Sequence, residues 1–127
     1  MNRKINSNAF LNELLIYFPQ LEDKIKAEER NLVHPRMEIF SDYSIEQIEK
    51  ENYAELKKCF DFHESRIEFM VPELINALTV SYCESIMLGK CASKMERIKT
   101  LMPIKFKTQY LNYEKYYNDL VTRQNEK

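Results

Sequence analysis

Apolar residues recur along this chain at intervals of three and four, the spacing that gathers side chains on one face of a helix. Two stripes are regular. Leu56, Phe60, His63, Ile67 and Met70 run i, i+4, i+7, i+11, i+14, and so do Phe106, Tyr110, Tyr113, Tyr117 and Leu120. Cys59 and Phe62 widen the first stripe, and Asn52 stands where an N-cap belongs. Between the stripes, residues 72–88 are apolar on most of their circumference: Leu74, Ile75, Ala77, Leu78, Val80, Tyr82, Cys83, Ile86, Met87 and Leu88. Glu73 and Glu84 would share one narrow face of that helix, and Pro72 suits its first position. A helix apolar nearly all round needs neighbours on several sides, so 72–88 is predicted as the central element, with Leu78 among the most buried residues.

The flanks read less cleanly. A first helix starts at Ser7 or Asn8 and carries Phe10, Leu11, Leu14, Leu15 and Phe18, until Pro19 ends or kinks it. A short turn follows with Leu21 and Ile25 inward and Glu22, Asp23, Lys24, Lys26, Glu28 and Glu29 outward. Residues 31–35 read as a connection. From Arg36, residues Met37, Phe40, Tyr43, Ile45 and Ile48 keep approximate helical spacing, with Ser41, Asp42 and Ser44 as break points and Ser44 as a second N-cap. After Gly89 a short helix over 93–102 presents Met95, Ile98 and Leu101, and Pro103 opens the last one. The expectation is an all-α domain over 1–127, a compact bundle or short stack of helical hairpins with five to six helices, frayed at 1–6 and 122–127.

Composition narrows the chemistry. A single glycine, Gly89, leaves no phosphate-cradling loop, dinucleotide fingerprint or tight primed hairpin turn. With 44% apolar and 31% charged residues the chain can fill a core and cover it. Nineteen basic against twenty acidic residues lack the basic excess of a nucleic-acid binder. Three cysteines, Cys59, Cys83 and Cys91, with no CxxC spacing suggest reduced thiols and a cytoplasmic setting. The run 71–88 is too polar for a membrane span, so no membrane partner is expected.

Five constellations are candidates for function. His63 lies within an apolar stripe with no second ligand at helical spacing and His34 far off in sequence, so a hydrogen-bonded structural histidine outweighs a base or metal ligand. Glu84, midway along the most apolar helix, is a pocket candidate with His63; the plainer reading pairs it with Arg66, Arg97 or a lysine. Tyr110, Tyr113, Tyr116 and Tyr117, interleaved with Lys105, Lys107 and Lys115, fit a core plus a tyrosine rim better than a base-stacking surface. Cys59 and Cys83 fall on apolar faces, whereas Cys91 beside Lys90 and Lys94 is the more exposed and reactive thiol. The acidic stretch Asp42, Glu46, Glu49, Glu51 and Glu55, with Ile45, Ile48 and Tyr53, reads either as a solvated face or as a docking surface. No catalytic residue, metal ligand set or cofactor is expected.

Three segments carry a resemblance: Phe10-Leu-Asn-Glu-Leu-Leu-Ile-Tyr-Phe-Pro-Gln-Leu, Asn52-Tyr-Ala-Glu-Leu-Lys-Lys-Cys-Phe-Asp-Phe and Asn76-Ala-Leu-Thr-Val-Ser-Tyr-Cys-Glu-Ser. In their order the chain resembles a family of small all-helical bacterial proteins of unknown function, some similar to immunity proteins of polymorphic toxin systems. These are core and cap residues, so the resemblance implies a fold and carries over no catalytic residue. It implies binding and blocking of a partner, a toxin domain, by an exposed acidic or aromatic face. The expected function is a non-catalytic protein-binding module using Asp42, Glu46, Glu49, Glu51, Tyr53 and Tyr116. The alternatives are a ligand-binding or enzymatic domain with His63 and Glu84 in a pocket beside the central helix, and a structural homo-oligomer.

Overall fold

Residues 3–28 and 32–125 are described by the computed structural model. Among them the chain forms seven helices and no strand, one or two helices more than expected. They are α1 (Ser7–Tyr17), α2 (Glu22–Ala27), α3 (Val33–Glu49), α4 (Tyr53–Glu64), α5 (residues 72–88), α6 (Met95–Ile98) and α7 (Ile104–Asn125). The expectations that fall on Glu29, Asn31 and the outermost terminal residues lie outside the described residues.

The caps follow local chemistry. Asn6, one residue before the expected start, caps α1 by accepting the Ala9 N–H at 2.9 Å. Asn52 caps α4 through the Glu55 N–H. α3 is one unbroken helix from Val33, so 33–35 belong to it and not to a connection, and the expected break at Ser41–Ser44 does not occur. Both serines are buried, and their hydroxyls donate back to the Glu38 and Phe40 carbonyls, which satisfies them within the helix. α3 ends in a Schellman turn: Glu51 N–H donates to Ile48 O at 3.1 Å and Asn52 N–H to Gln47 O at 2.9 Å. Glu51 takes the left-handed position there, with φ 56°. The start of the chain is not frayed as far as 6: Ile5 is 1% exposed and bridges Met70, with its N–H on Phe69 O at 2.8 Å.

The first stripe is buried throughout, although α4 ends at Glu64 and Ile67–Phe69 form a 3-10 turn. Residues 93–102 likewise split into short pieces, a 3-10 turn on each side of α6. The central element is α5, packed on α3 and α7, with Leu78 fully buried as expected. It is not a uniform α-helix. Leu78–Cys83 is a π-helical turn between two α-helical halves, Pro72–Ala77 and Glu84–Leu88. A π turn spends more residues per revolution, so positions after it slip in phase against those before it. Glu73 and Glu84 therefore do not share a face: each lines a different cleft. Val80, within the π turn, and Leu88, after it, are exposed instead of buried. Ser81, within the π turn, meets His34 Nδ1 at 2.6 Å and so ties α5 to the first turn of α3.

The second stripe is buried only at Phe106 and Tyr110. From Leu111 on, α7 has no buried residue, because a 22-residue helix of about 33 Å outruns the body it packs on. Its N-terminus is capped from α4, where the Glu64 carboxylate accepts the Lys105 N–H at 3.1 Å and the Phe106 N–H at 2.8 Å.

Candidate functional site

α3 and the second half of α5 leave an open groove of about 570 Å³ between them. From α3, Asp42 and Ile45 stand three residues apart and so on one face; from α5 come Glu84, Ser85 and Leu88. Gly89 sets how tightly the chain leaves α5. It has φ −78° and ψ −170°, an extended conformation open to any residue, so left-handedness is not why glycine stands there. A Cβ at Gly89 would meet the Ser85 carbonyl oxygen at 2.5 Å and Ile45 Cδ1 at 3.3 Å, so only glycine lets the two segments approach this closely.

The groove carries two carboxylates. Asp42 is exposed. Glu84 accepts a hydrogen bond from the Tyr113 hydroxyl at 3.0 Å, not from an arginine or lysine as expected. The Tyr113 phenol is pushed up to about 12, chiefly by burial and then by its bond to Glu84, so it stays a donor at physiological pH. The Tyr116 ring lies 5.8 Å from that of Tyr113 and is 60% exposed. Lys90, on the groove wall, is bound to Glu49 at 3.0 Å. Leu88, 47% exposed, supplies apolar surface. The groove is thus acidic and partly apolar, with a pair of tyrosines beside it.

Of the acidic stretch, only part is open charge. Glu46 pairs with Lys50 at 2.6 Å, Glu49 with Lys90, and Glu55 with Lys58 at 3.3 Å and the Tyr43 hydroxyl. Asp42 and Glu51 have no ion pair among the described residues. Tyr53 is half-buried and faces Arg97, whose guanidinium sits 5.8 Å from its ring. The structure therefore brings Asp42 together with Glu84 and the Tyr113–Tyr116 pair, with Glu49 at the edge through Lys90. Glu46, Glu51 and Tyr53 do not line the groove.

His63 is elsewhere. Its ring lies at the centre of the core, 4.2 Å from Tyr82, 5.0 Å from Phe40, 5.4 Å from Phe106 and 5.8 Å from Phe10, centroid to centroid. It is fully buried, and neither ring nitrogen has a hydrogen-bond partner among the described residues, contrary to the expected hydrogen-bonded histidine. Burial, and then the positive charge of Arg66, lower its pKa to about 3, so it is neutral at physiological pH. His63 and Glu84 line no common cleft. The Tyr82 hydroxyl beside His63 is satisfied instead by Ser44 Oγ at 2.5 Å.

The thiols are buried as well. Burial raises Cys59 to about 12 and Cys83 further. Cys91, expected exposed, is 3% exposed with its Sγ toward the Ile45 carbonyl at 3.9 Å. Among the described residues no group of three or more His, Cys, Asp or Glu side chains is gathered as metal ligands are, and no helix is long and apolar enough to cross a membrane. Two contributors to the groove were not singled out in the sequence. Leu88 reads as one more apolar position and Ser85 as a polar position of the central helix; neither points to a groove, because a local π turn leaves no periodic signal.

The family model for a domain of unknown function, DUF7674, matches residues 11–118, and the chain belongs to that family. No curated protein and no solved structure matches it.

Proposed function

We propose that this member of the DUF7674 family is a non-catalytic, cytoplasmic protein-binding module that acts by occluding a partner, in the manner of the immunity proteins of bacterial toxin systems. The observation that carries the reading is the convergence of Asp42, Glu84 and exposed Leu88 on one open groove, with the Tyr113–Tyr116 pair alongside. An acidic, partly apolar groove flanked by tyrosine suits a basic segment with an apolar anchor, such as the surface of a toxin domain that contacts nucleic acid. His63 is neutral and buried, the thiols are buried, and none of them faces the groove carboxylates.

The test is co-expression with the products of the genes flanking its own, followed by co-purification. A protein that co-elutes with the parent and is lost on Asp42→Lys or Leu88→Asp supports the reading. A parent that brings down no protein but carries a bound metabolite overturns it. A second reading, self-association, draws on the outer part of α7, where Tyr116 is 60% and Leu120 38% exposed. Sizing at several concentrations separates the two: a strict monomer removes self-association.

A further inference from the structure

We infer that the cleft between the end of α1 and the end of α4 binds a small aromatic anion, a planar ring carrying a phosphate or carboxylate. The cleft encloses about 520 Å³, within the range of small-molecule sites, and shares no residue with the α3–α5 groove. Its fixed point is Arg66, only 7% exposed. The guanidinium lies over the Phe62 ring at 3.8 Å and near the Tyr17 ring at 5.2 Å. Nε donates to Glu13 at 3.0 Å, and Nη1 to the Phe62 carbonyl at 3.0 Å and to Ser65 Oγ at 2.8 Å. Nη2 stands 3.0 Å from the same Glu13 oxygen, which leaves at least one of its hydrogens without an acceptor among the described residues. The side chain is therefore held rigid while it keeps donor capacity in a cleft it lines.

The surroundings supply the two halves of a ligand. Arg3 and Lys58 stand at the rim with side chains 54% and 63% exposed, so three cations face one cleft. Glu13 partners both Arg3 and Arg66; burial alone would raise its carboxyl, but those two arginines hold it below the usual value. Asp61 is offset by Lys57 at 3.4 Å and Lys58 by Glu55 at 3.3 Å. Four cations against three carboxylates leave one positive charge, on a wall of Tyr17, Phe18 and Phe62. Tyr17 is 59% exposed beside a buried guanidinium, and its ring offers an apolar platform. A ring stacked on Tyr17 sets its anionic substituent against Arg3, Lys58 and Arg66.

The experiment is a titration of the 15N-labelled full chain with phenyl phosphate, cyclohexyl phosphate and inorganic phosphate. Phenyl phosphate is expected to shift the Tyr17, Lys58 and Ser65 amides saturably, and more tightly than the other two anions. Arg3→Glu, Lys58→Glu and Tyr17→Ala replace exposed side chains, and the amide spectrum of each unliganded variant checks that the fold is kept. Each is expected to weaken binding about fivefold, the order of one solvent-screened charge or one aromatic contact. The inference is overturned by any of three results: no saturable shift up to about 10 mM, a regime weaker than any specific site; shifts unchanged in Arg3→Glu and Lys58→Glu; or inorganic phosphate binding as tightly as phenyl phosphate.

Discussion

Replacing His63 with leucine, a side chain of similar volume without polar atoms, should change how the fold responds to acid more than how stable it is at neutral pH. The ring is fully buried among aromatic side chains, and both nitrogens lack partners among the described residues. Each such nitrogen costs roughly 1–3 kcal/mol of desolvation, while the ring contacts that leucine gives up are worth roughly 0.5–1.5 kcal/mol apiece. The variant is therefore expected to be at least as stable as the parent at pH 7.5. Acid separates the two. The folded pKa is depressed to about 3 from an ordinary 6.5, so below 6.5 the unfolded chain takes up a proton that the folded chain refuses. Stability attached to this group is complete above pH 6.5 and is lost as pH falls toward 3. From those two values the loss is about 2 kcal/mol at pH 5 and about 3 kcal/mol at pH 4. Every other ionisable side chain is common to both proteins, so the difference between parent and variant isolates His63. Urea denaturation followed by far-ultraviolet circular dichroism, from pH 7.5 to 4, measures it. Parallel stability curves across that range would refute the reasoning and imply that His63 finds a proton partner in solution.

Three further substitutions test the packing that shapes the groove and the bundle. Gly89→Ala drives a methyl group to 2.5 Å from the Ser85 carbonyl oxygen, and thermal unfolding should show a loss of roughly 1–3 kcal/mol, as overpacking gives. Glu51→Gly relieves a left-handed residue and should stabilise by about 1 kcal/mol in urea, less the added freedom of the unfolded chain. Glu64→Ala strips the cap from two N–H groups of α7 and should cost about 1–2 kcal/mol, with faster amide exchange at Lys105 and Phe106.

The parts of the fold legible in the sequence are those that a helical period can encode. The stripe from Leu56 to Met70 is buried even where the helix tightens to a 3-10 turn, since both conformations keep those residues on one side. Leu78 reads as core because its neighbours are apolar whichever way the helix turns. What periodicity cannot encode is a change of period. The π turn at Leu78–Cys83 moved Glu84 away from Glu73, and Leu88, after it, lines the groove. Serine also misled: buried Ser41 and Ser44 bond within α3 where their type suggests a break. Charge counting could not show that Glu46, Glu49 and Glu55 are tied to lysines brought near by the helix turn or by the chain leaving α5, which leaves Asp42 as the open carboxylate of the groove. In the sequence Arg66 stands out only as a partner for Glu84; its place between Phe62 and Glu13 depends on residues 53 positions apart.

Occlusion of a partner through the α3–α5 groove is tested most directly by site-specific photocrosslinking in the native host. A benzophenone amino acid is placed at Leu88, in the groove, and in a separate protein at Lys57, an exposed position on α4. The account predicts a discrete protein adduct at 88 that disappears when Asp42→Lys is added, and no such adduct at 57. Equal labelling at the two positions, or an adduct at 88 indifferent to Asp42→Lys, would contradict it.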